Sequence, residues 1–321
     1  MKKVIIGVSS LAVLFAAFLF HLTQPIFAVN PLASDTGVNP ERLAQHVKML
    51  SETLAPRDAQ HPANLNRVAD YIRQDFIRAH GQVSDQRFMA DGVEYRNIIA
   101  TFGPDTQERI VVGAHYDTAG AMPGADDNAS GVAGLIELAY LLGKTTLPMR
   151  IDLVAYTLEE PPHFRTAQMG SAVHARSLKR AGVNVRAMLS LEMIGYFSDA
   201  EGSQTYPINL LKVVYPSKGN FITVVGHFAE PGLVRKVKRA LVEATPLPVY
   251  SINAPRFIPG IDFSDHLNYW NEGFPAVMIT DTSFFRNLNY HTQNDTADKL
   301  DFRRMALTVE GVFAAVKRLM Q

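Results

Sequence analysis

The sequence predicts a single α/β domain with a mixed, largely parallel central β-sheet flanked by helices. Runs rich in Val, Ile and aromatic residues alternate with segments of helical periodicity. Several of those runs are apolar almost without interruption, as strands are when helices cover both faces of their sheet. Polar clusters recur where the apolar runs stop, the place where functional groups gather in such folds.

The elements follow in order. Pro40–Leu54 and Ala63–Ala79 carry helical spacing, the second through Val68, Tyr71, Ile72 and Phe76. Tyr95–Phe102, Arg109–His115, Arg150–Leu158, Met188–Ile194, Phe221–Gly226 and Ala276–Thr280 read as strands. Ser130–Leu142, Ala167–Ala181 and Pro231–Ala244 are predicted helices between them. A last helix follows Asp301 as its N-cap, with Phe302, Met305, Ala306, Val309, Val312, Phe313, Val316 and Leu319 forming a packing stripe.

The first 28 residues stand outside this plan. Lys2 and Lys3 precede an uncharged run from Val4 to Phe20, which is the layout of a signal peptide with a cut after Ala28, or of an N-terminal membrane anchor. Ile26 occupies a position where a small residue is expected before such a cut. Residues 29–39, with Pro31 and Gly37, form a tether, and 40–321 form the main folded domain. The expected location is therefore outside the cytoplasm, periplasmic or secreted, with membrane attachment only through the N-terminal segment.

Composition narrows the chemistry. The 321 residues carry 31 basic and 31 acidic side chains with no block of either sign, which argues against a nucleic-acid partner. Cysteine is absent, so disulfides are excluded and any metal must be held by His, Asp and Glu.

Five clusters can carry chemistry. His115-Tyr116-Asp117 ends the second strand, and two-residue spacing puts His115 and Asp117 on one face. There Asp117 can take the second imidazole N–H of a metal-bound His115, or the pair can be a structural hydrogen bond. Gly124-Ala125-Asp126-Asp127-Asn128-Ala129-Ser130-Gly131 opens a helix; one cap accounts for one acidic residue but not for two. Glu159-Glu160 closes the third strand, where adjacent carboxylates repel unless a cation or proton intervenes. One of them can ligate metal while the other moves a proton. Glu192 sits in apolar surroundings and needs a partner. Tyr290-His291-Thr292 and Asp295-Thr296 precede the last helix. The helical H-E-x-x-H zinc motif, the G-x-S-x-G elbow and a phosphate loop are all missing.

The order of these clusters resembles the co-catalytic zinc aminopeptidases, family twenty-eight of the metallopeptidases, which also includes glutamate carboxypeptidases and glutaminyl cyclases. The resemblance runs over roughly residues 40–320. It implies the zinc-dependent exopeptidase fold with a mixed eight-stranded sheet, and hydrolysis of N-terminal residues from a peptide or aminoacyl substrate. By that resemblance two zinc ions are held, one by His115 and Glu192, the other by Glu160 and His291, with Asp126 bridging. Glu159 is then the general base, Tyr290 hydrogen-bonds the tetrahedral intermediate, and a cis peptide joins Asp126 to Asp127.

The chain departs from the family at two places. Glu192 stands where Asp is usual, an oxygen ligand one methylene longer. Pro161–Thr166 lengthens the loop before Gly170-Ser171, which places an enlarged loop at the substrate pocket or on the surface. Two other readings stay open: a glutaminyl cyclase with one zinc, disfavoured by Tyr290 where those enzymes tend to have Trp, and a zinc-free binding domain. Arg256 or Arg286 can also bind a substrate carboxylate, as a dipeptidase or carboxypeptidase requires. Oligomeric state is not legible.

Overall fold

The computed structural model describes residues 2–27 and 37–321, with side chains from Val13 onward in the first helix. The expected cut after Ala28 and most of the 29–39 tether lie outside the described residues. Eight strands form one sheet in the order β1-β2-β4-β3-β5-β8-β6-β7. They are β1 (Gln82–Ala90), β2 (Val93–Phe102), β3 (Glu108–His115), β4 (Arg150–Tyr156), β5 (Asn184–Glu192), β6 (Ile222–His227), β7 (Val249–Ala254) and β8 (Ala276–Thr280). The central β4, β3, β5 and β8 are mutually parallel. The β1–β2 hairpin lies antiparallel on one flank, and β6 and β7, parallel to each other, run antiparallel to β8 on the other. The sheet is thus mixed and largely parallel.

The sequence explains the central strands well. Every residue of β3 from Arg109 to His115 is buried, as is all of β8, because helices cover both faces. The helices are α1 (Lys2–Thr23), α2 (Pro40–Lys48), α3 (Pro62–Arg78), α4 (Gly131–Leu142), α5 (Gly170–Arg180), α6 (Pro231–Ala244), α7 (His266–Asn271) and α8 (Phe302–Leu319). Asp301 caps α8 by accepting from the Arg304 N–H at 3.0 Å, and Met305, Val309, Val312 and Val316 are fully buried. Each such side chain contributes about 1.5–3 kcal/mol of burial, which fixes the helix face more firmly than its cap does. Among the residues whose side chains are described, which in α1 begin at Val13, no helix is long and apolar enough to cross a membrane.

Two strands were not expected. β1 is a polar edge strand, but Asp91-Gly92 joins it to β2 with positive φ at both residues, the conformation that a tight two-residue hairpin demands. β7 is the opposite edge, and its alternation of Tyr250 and Ile252 with Ser251 and Asn253 is short enough to pass for loop.

The parallel strands place the chemistry. His115 is the last residue of β3, Glu192 the last of β5, and Glu159-Glu160 follow β4 within four residues. All three strand ends lie at one edge of the sheet, so three distant clusters meet there.

Candidate metal centre

The centre is built around Asp127. Gly124 turns the chain with φ +57°, and a Cβ there would meet the Asp127 carbonyl at 2.3 Å, so only glycine fits. Asp126 and Asp127 then point their backbone N–H groups at the Asp295 carboxylate, which accepts from each at 3.0 Å. Asp127 then sets one carboxylate oxygen 3.3 Å from His115 Nε2 and the other 3.1 Å from His291 Nε2. Glu192 Oε2 lies 3.3 Å from the first imidazole and Glu160 Oε1 3.1 Å from the second. Two donor groups share Asp127, His115-Asp127-Glu192 and Asp127-Glu160-His291, and a third, His115-Glu159-Glu160, overlaps both.

This corrects one expectation. Asp127, not Asp126, is the carboxylate that stands between the two imidazoles. Asp126 is fully buried and faces away: its Oδ1 accepts from the Gly195 N–H at 3.0 Å and its Oδ2 from Asn287 Nδ2 at 2.9 Å. Both its oxygens are therefore engaged in fastening the 124–130 turn to the strand-end loops. The cis peptide is likewise one residue further on, at Asp127-Asn128. Asn128, which opens an Asn-x-Ser pattern, is buried and holds Leu191 O, Met193 N and Gly131 N with its amide.

The other predicted residues assemble around the same point. Glu159 Oε2 is 3.9 Å from His115 Nε2 and lines the adjoining cavity. Tyr290 stacks on His291 with ring centroids 3.7 Å apart and lines the same cavity. Asp117 acts mainly on the backbone: its two oxygens accept the N–H groups of Glu159 and Glu160 at 3.1 Å each. The ring nitrogen Nδ1 of His115 meets the Asp117 carbonyl at 3.2 Å, nearer than the Asp117 carboxylate at 3.6 Å.

Carboxylates crowd around the two imidazoles. Burial, then the neighbouring carboxylates, raise Glu159 well above the ordinary carboxyl range against the opposing charge of His115. Burial and Asp127 push Glu160 up to about 8. Burial works against charge on His291, but Asp127 and Glu160 outweigh it and lift the imidazole to about 10. Burial would also raise Asp127; hydrogen bonds from the two imidazoles overcome it and hold this carboxyl low. His115 Nε2 is buried without a hydrogen-bond partner and faces oxygens of three carboxylates. A nitrogen so placed among hard oxygen donors fits a zinc ligand set.

Several residues of the site belong to no motif in the sequence. Ser264 donates to Glu192 Oε2 at 2.7 Å and meets Ser190 at 2.9 Å, which fixes the longer glutamate. Arg57 is fully buried beneath the centre and donates to the carbonyls of Leu50, Tyr116, Pro123 and Gly124. It ties the His115 strand end to the Asp127 turn. Asp295, legible only as part of a polar stretch, is the acceptor that orients both aspartates' backbones.

Beside the centre lies a cavity of about 290 Å³. Asp127, Glu159, Glu160, Glu192, Tyr290 and His291 form one end, and Phe221, Val225, Ile252, Phe263 and Met278 line the rest. Pro161 and Phe164 of the lengthened loop reach it, while the Arg165 side chain pairs with Asp262. Neither predicted arginine lines it. Arg286 is buried and donates to Gln204 and to the carbonyls of Tyr196 and Phe221, and Arg256 bonds Asn271.

The model of "Peptidase family M28" matches residues 97–316, which span the whole centre. The chain belongs to peptidase family M28. A relative, the Escherichia coli (strain K12) protein YfbL, described as uncharacterized, is 48% identical over 97% of this chain and 98% of its own. Leucine aminopeptidase 1 of Coccidioides posadasii (strain C735) is 27% identical over 72% of this chain and 57% of its own, so the match spans little more than half of that enzyme. Among solved structures, the Legionella pneumophila LapA aminopeptidase superposes with TM-score 0.71 at 22% identity, covering 88% of this chain and 72% of that one. Porphyromonas gingivalis glutaminyl cyclase superposes with TM-score 0.66 at 22% identity, covering 88% and 99%. These likenesses establish the M28 fold and leave the two reactions to be separated by the site.

Proposed function

We propose that this chain is an exported zinc aminopeptidase that binds two ions and removes apolar N-terminal residues from peptides. One observation carries the reading: Asp127 turns one oxygen to each of two imidazoles, and each imidazole has its own glutamate. His115, Asp127 and Glu192 would hold one ion, and Asp127, Glu160 and His291 the other. Zinc bound there supplies a Lewis acid for the scissile carbonyl and makes water acidic enough to ionise near neutral pH.

The protein's own groups do the rest. Glu159 is unligated in this scheme and, held in a buried, carboxylate-rich setting, accepts a proton from water and passes it to the leaving amine. Tyr290 is a neutral phenol held far above its ordinary pKa by burial and by surrounding carboxylates, so it donates a hydrogen bond to the developing oxyanion. Asp117 keeps the Glu159-Glu160 backbone against His115. The carboxylate-rich end of the cavity suits a free α-ammonium, and its apolar walls suit a leucine- or phenylalanine-sized side chain. Among the described residues no arginine lines the cavity to receive a substrate carboxylate, which favours the amino-terminal specificity.

The test is a panel of aminoacyl anilides, their N-acetylated forms and N-terminal glutamine peptides on zinc-loaded protein. Hydrolysis of free leucyl and phenylalanyl anilides, none of blocked ones, and about two zinc per chain is the expected outcome. Ammonia release from the glutamine peptides with one zinc per chain would make it a cyclase.

A further inference from the structure

The end of α1 is not a loose leader. Its last turn is seated in a socket formed by β7 and α6, more than two hundred residues away in the chain. Asn253 Nδ2 donates to His21 O at 3.0 Å, and Ser251 Oγ donates to Thr23 O at 2.7 Å. Lys238 Nζ donates to Thr23 O at 2.8 Å and Gln24 O at 3.2 Å. Arg235 reaches Gln24 Oε1 at 2.9 Å and lies over the Phe20 ring. Leu22 and Gln24 are buried, and the His21 ring stacks on Phe228.

These contacts satisfy what a helix end requires. The last carbonyls of a helix lack partners within it and carry partial negative charge. Here hydroxyl, amide and ammonium donors meet them, and Gln24 takes the left-handed φ of 41° that ends the turn. Ser251, Asn253 and Lys238 are buried with the helix end in place, and the Lys238 ammonium finds its acceptors at Thr23 O and Gln24 O. Upstream of the socket the helix changes character: Val13, Leu14, Phe15 and Phe18 are exposed. They belong to the uncharged run Val4–Phe20, which follows Lys2 and Lys3; with Leu19 and Phe20 packed on the domain, the 15 residues Val4–Phe18 remain for lipid, short of the roughly 17 of a full span, a mismatch that a bilayer meets by thinning locally.

We infer that residues 19–24 are a permanent part of the folded domain, so that the chain keeps its N-terminal helix, uncut after Ala28, and is held by it on a lipid bilayer. The basic start stays on the cytoplasmic side and the catalytic domain sits against the outer surface. The inference rests on the export half of the proposed function and not on its chemistry.

The experiment reads mass and location, with peptidase activity measured separately. The full chain with its native start is produced in a Gram-negative host, and membranes are extracted with alkaline carbonate. An intact mass that includes residues 1–28, in the carbonate-resistant pellet, is expected. A mature chain starting after Gln24, or an intact chain washed free of the membrane, would overturn the inference. A protease site placed within residues 29–36 then probes the socket itself. After cutting in detergent, the N-terminal fragment should co-purify with the domain, and K238A/S251A/N253A should release it at least about tenfold faster. Immediate loss of the fragment from the unsubstituted domain would overturn the docking; if the triple variant does not fold, Asn253→Ala is read in the same way.

Discussion

Replacing Asp127 and Asp126 in turn by Asn separates a metal bridge from a structural carboxyl one residue away. An amide at position 127 would keep one oxygen and present a nitrogen in place of the other, yet the two oxygens of Asp127 face two different imidazoles at 3.3 and 3.1 Å. One of the two donor groups must therefore lose its shared oxygen, and both lose the shared negative charge. Asp127→Asn should weaken the less favoured ion by at least about 10²-fold, which is about 2.7 kcal/mol at 1.36–1.4 kcal/mol per tenfold. Zinc should fall from about two ions per chain to about one, and turnover of leucyl anilide should fall at least as far. Asp126→Asn acts differently. Burial and the nearby Asp281 raise Asp126 well above the ordinary range, so its protonated form is already close to an amide in charge. The substitution keeps one acceptor for either Gly195 N–H or Asn287 and loses the other, a cost of about 1–2 kcal/mol. In a domain of this size that lowers the melting temperature by roughly 2–8 °C and leaves both zinc ions in place. The assay is zinc content by atomic emission beside thermal unfolding of the two variants. Two tightly held ions in Asp127→Asn, with one lost from Asp126→Asn, would refute the assignment.

Glu159→Gln should retain both ions and lose at least about 10²-fold in turnover, because it removes the proton carrier without removing a ligand; near-normal turnover at full zinc occupancy would disqualify Glu159 as the base. A pH effect is expected away from the centre, at Glu230, which burial lifts to about 7 while it accepts from Trp270 Nε1 and Ala276 N–H. The folded state binds this proton more tightly than the unfolded chain, so the stabilisation is present below about 4.5 and is lost as pH rises through 7. Glu230→Gln, which can still accept from both donors, should flatten that part of the melting-temperature profile; an unchanged slope between pH 4.5 and 7 would count against it.

Much of this architecture is readable without coordinates because the central strands are buried on both faces and announce themselves as apolar runs. The edges are not. β1 alternates too weakly to stand out, although Asp91-Gly92 is the local chemistry of a tight hairpin and was available as a signal. The choice between Asp126 and Asp127 illustrates a different limit. Both are carboxylates in the same turn, and what divides them is the direction imposed by Gly124 and by Asp295, 168 residues from Asp127. Arg57 and Ser264 belong to the same class: each acts through carbonyls or carboxylates that only the fold brings near, and neither sits in a pattern with a period or a motif.

The reversal of direction between β8 and β6 divides labour within the sheet. The parallel strands deliver His115 and Glu192, whereas Thr223 and Val225 of β6 and Ile252 of β7 come from the oppositely running pair and wall the cavity. The strand ends that carry the imidazole and the carboxylate and the wall of the cavity thus meet at a seam, β8 paired with β6, while the 159–164 loop contributes to both. Substitutions along β6 and β7 can reshape what is accepted while the imidazoles and carboxylates stay where they are. Such a layout gives a lineage, or an engineer, room to retarget the enzyme by trading methyl groups on one side of that seam.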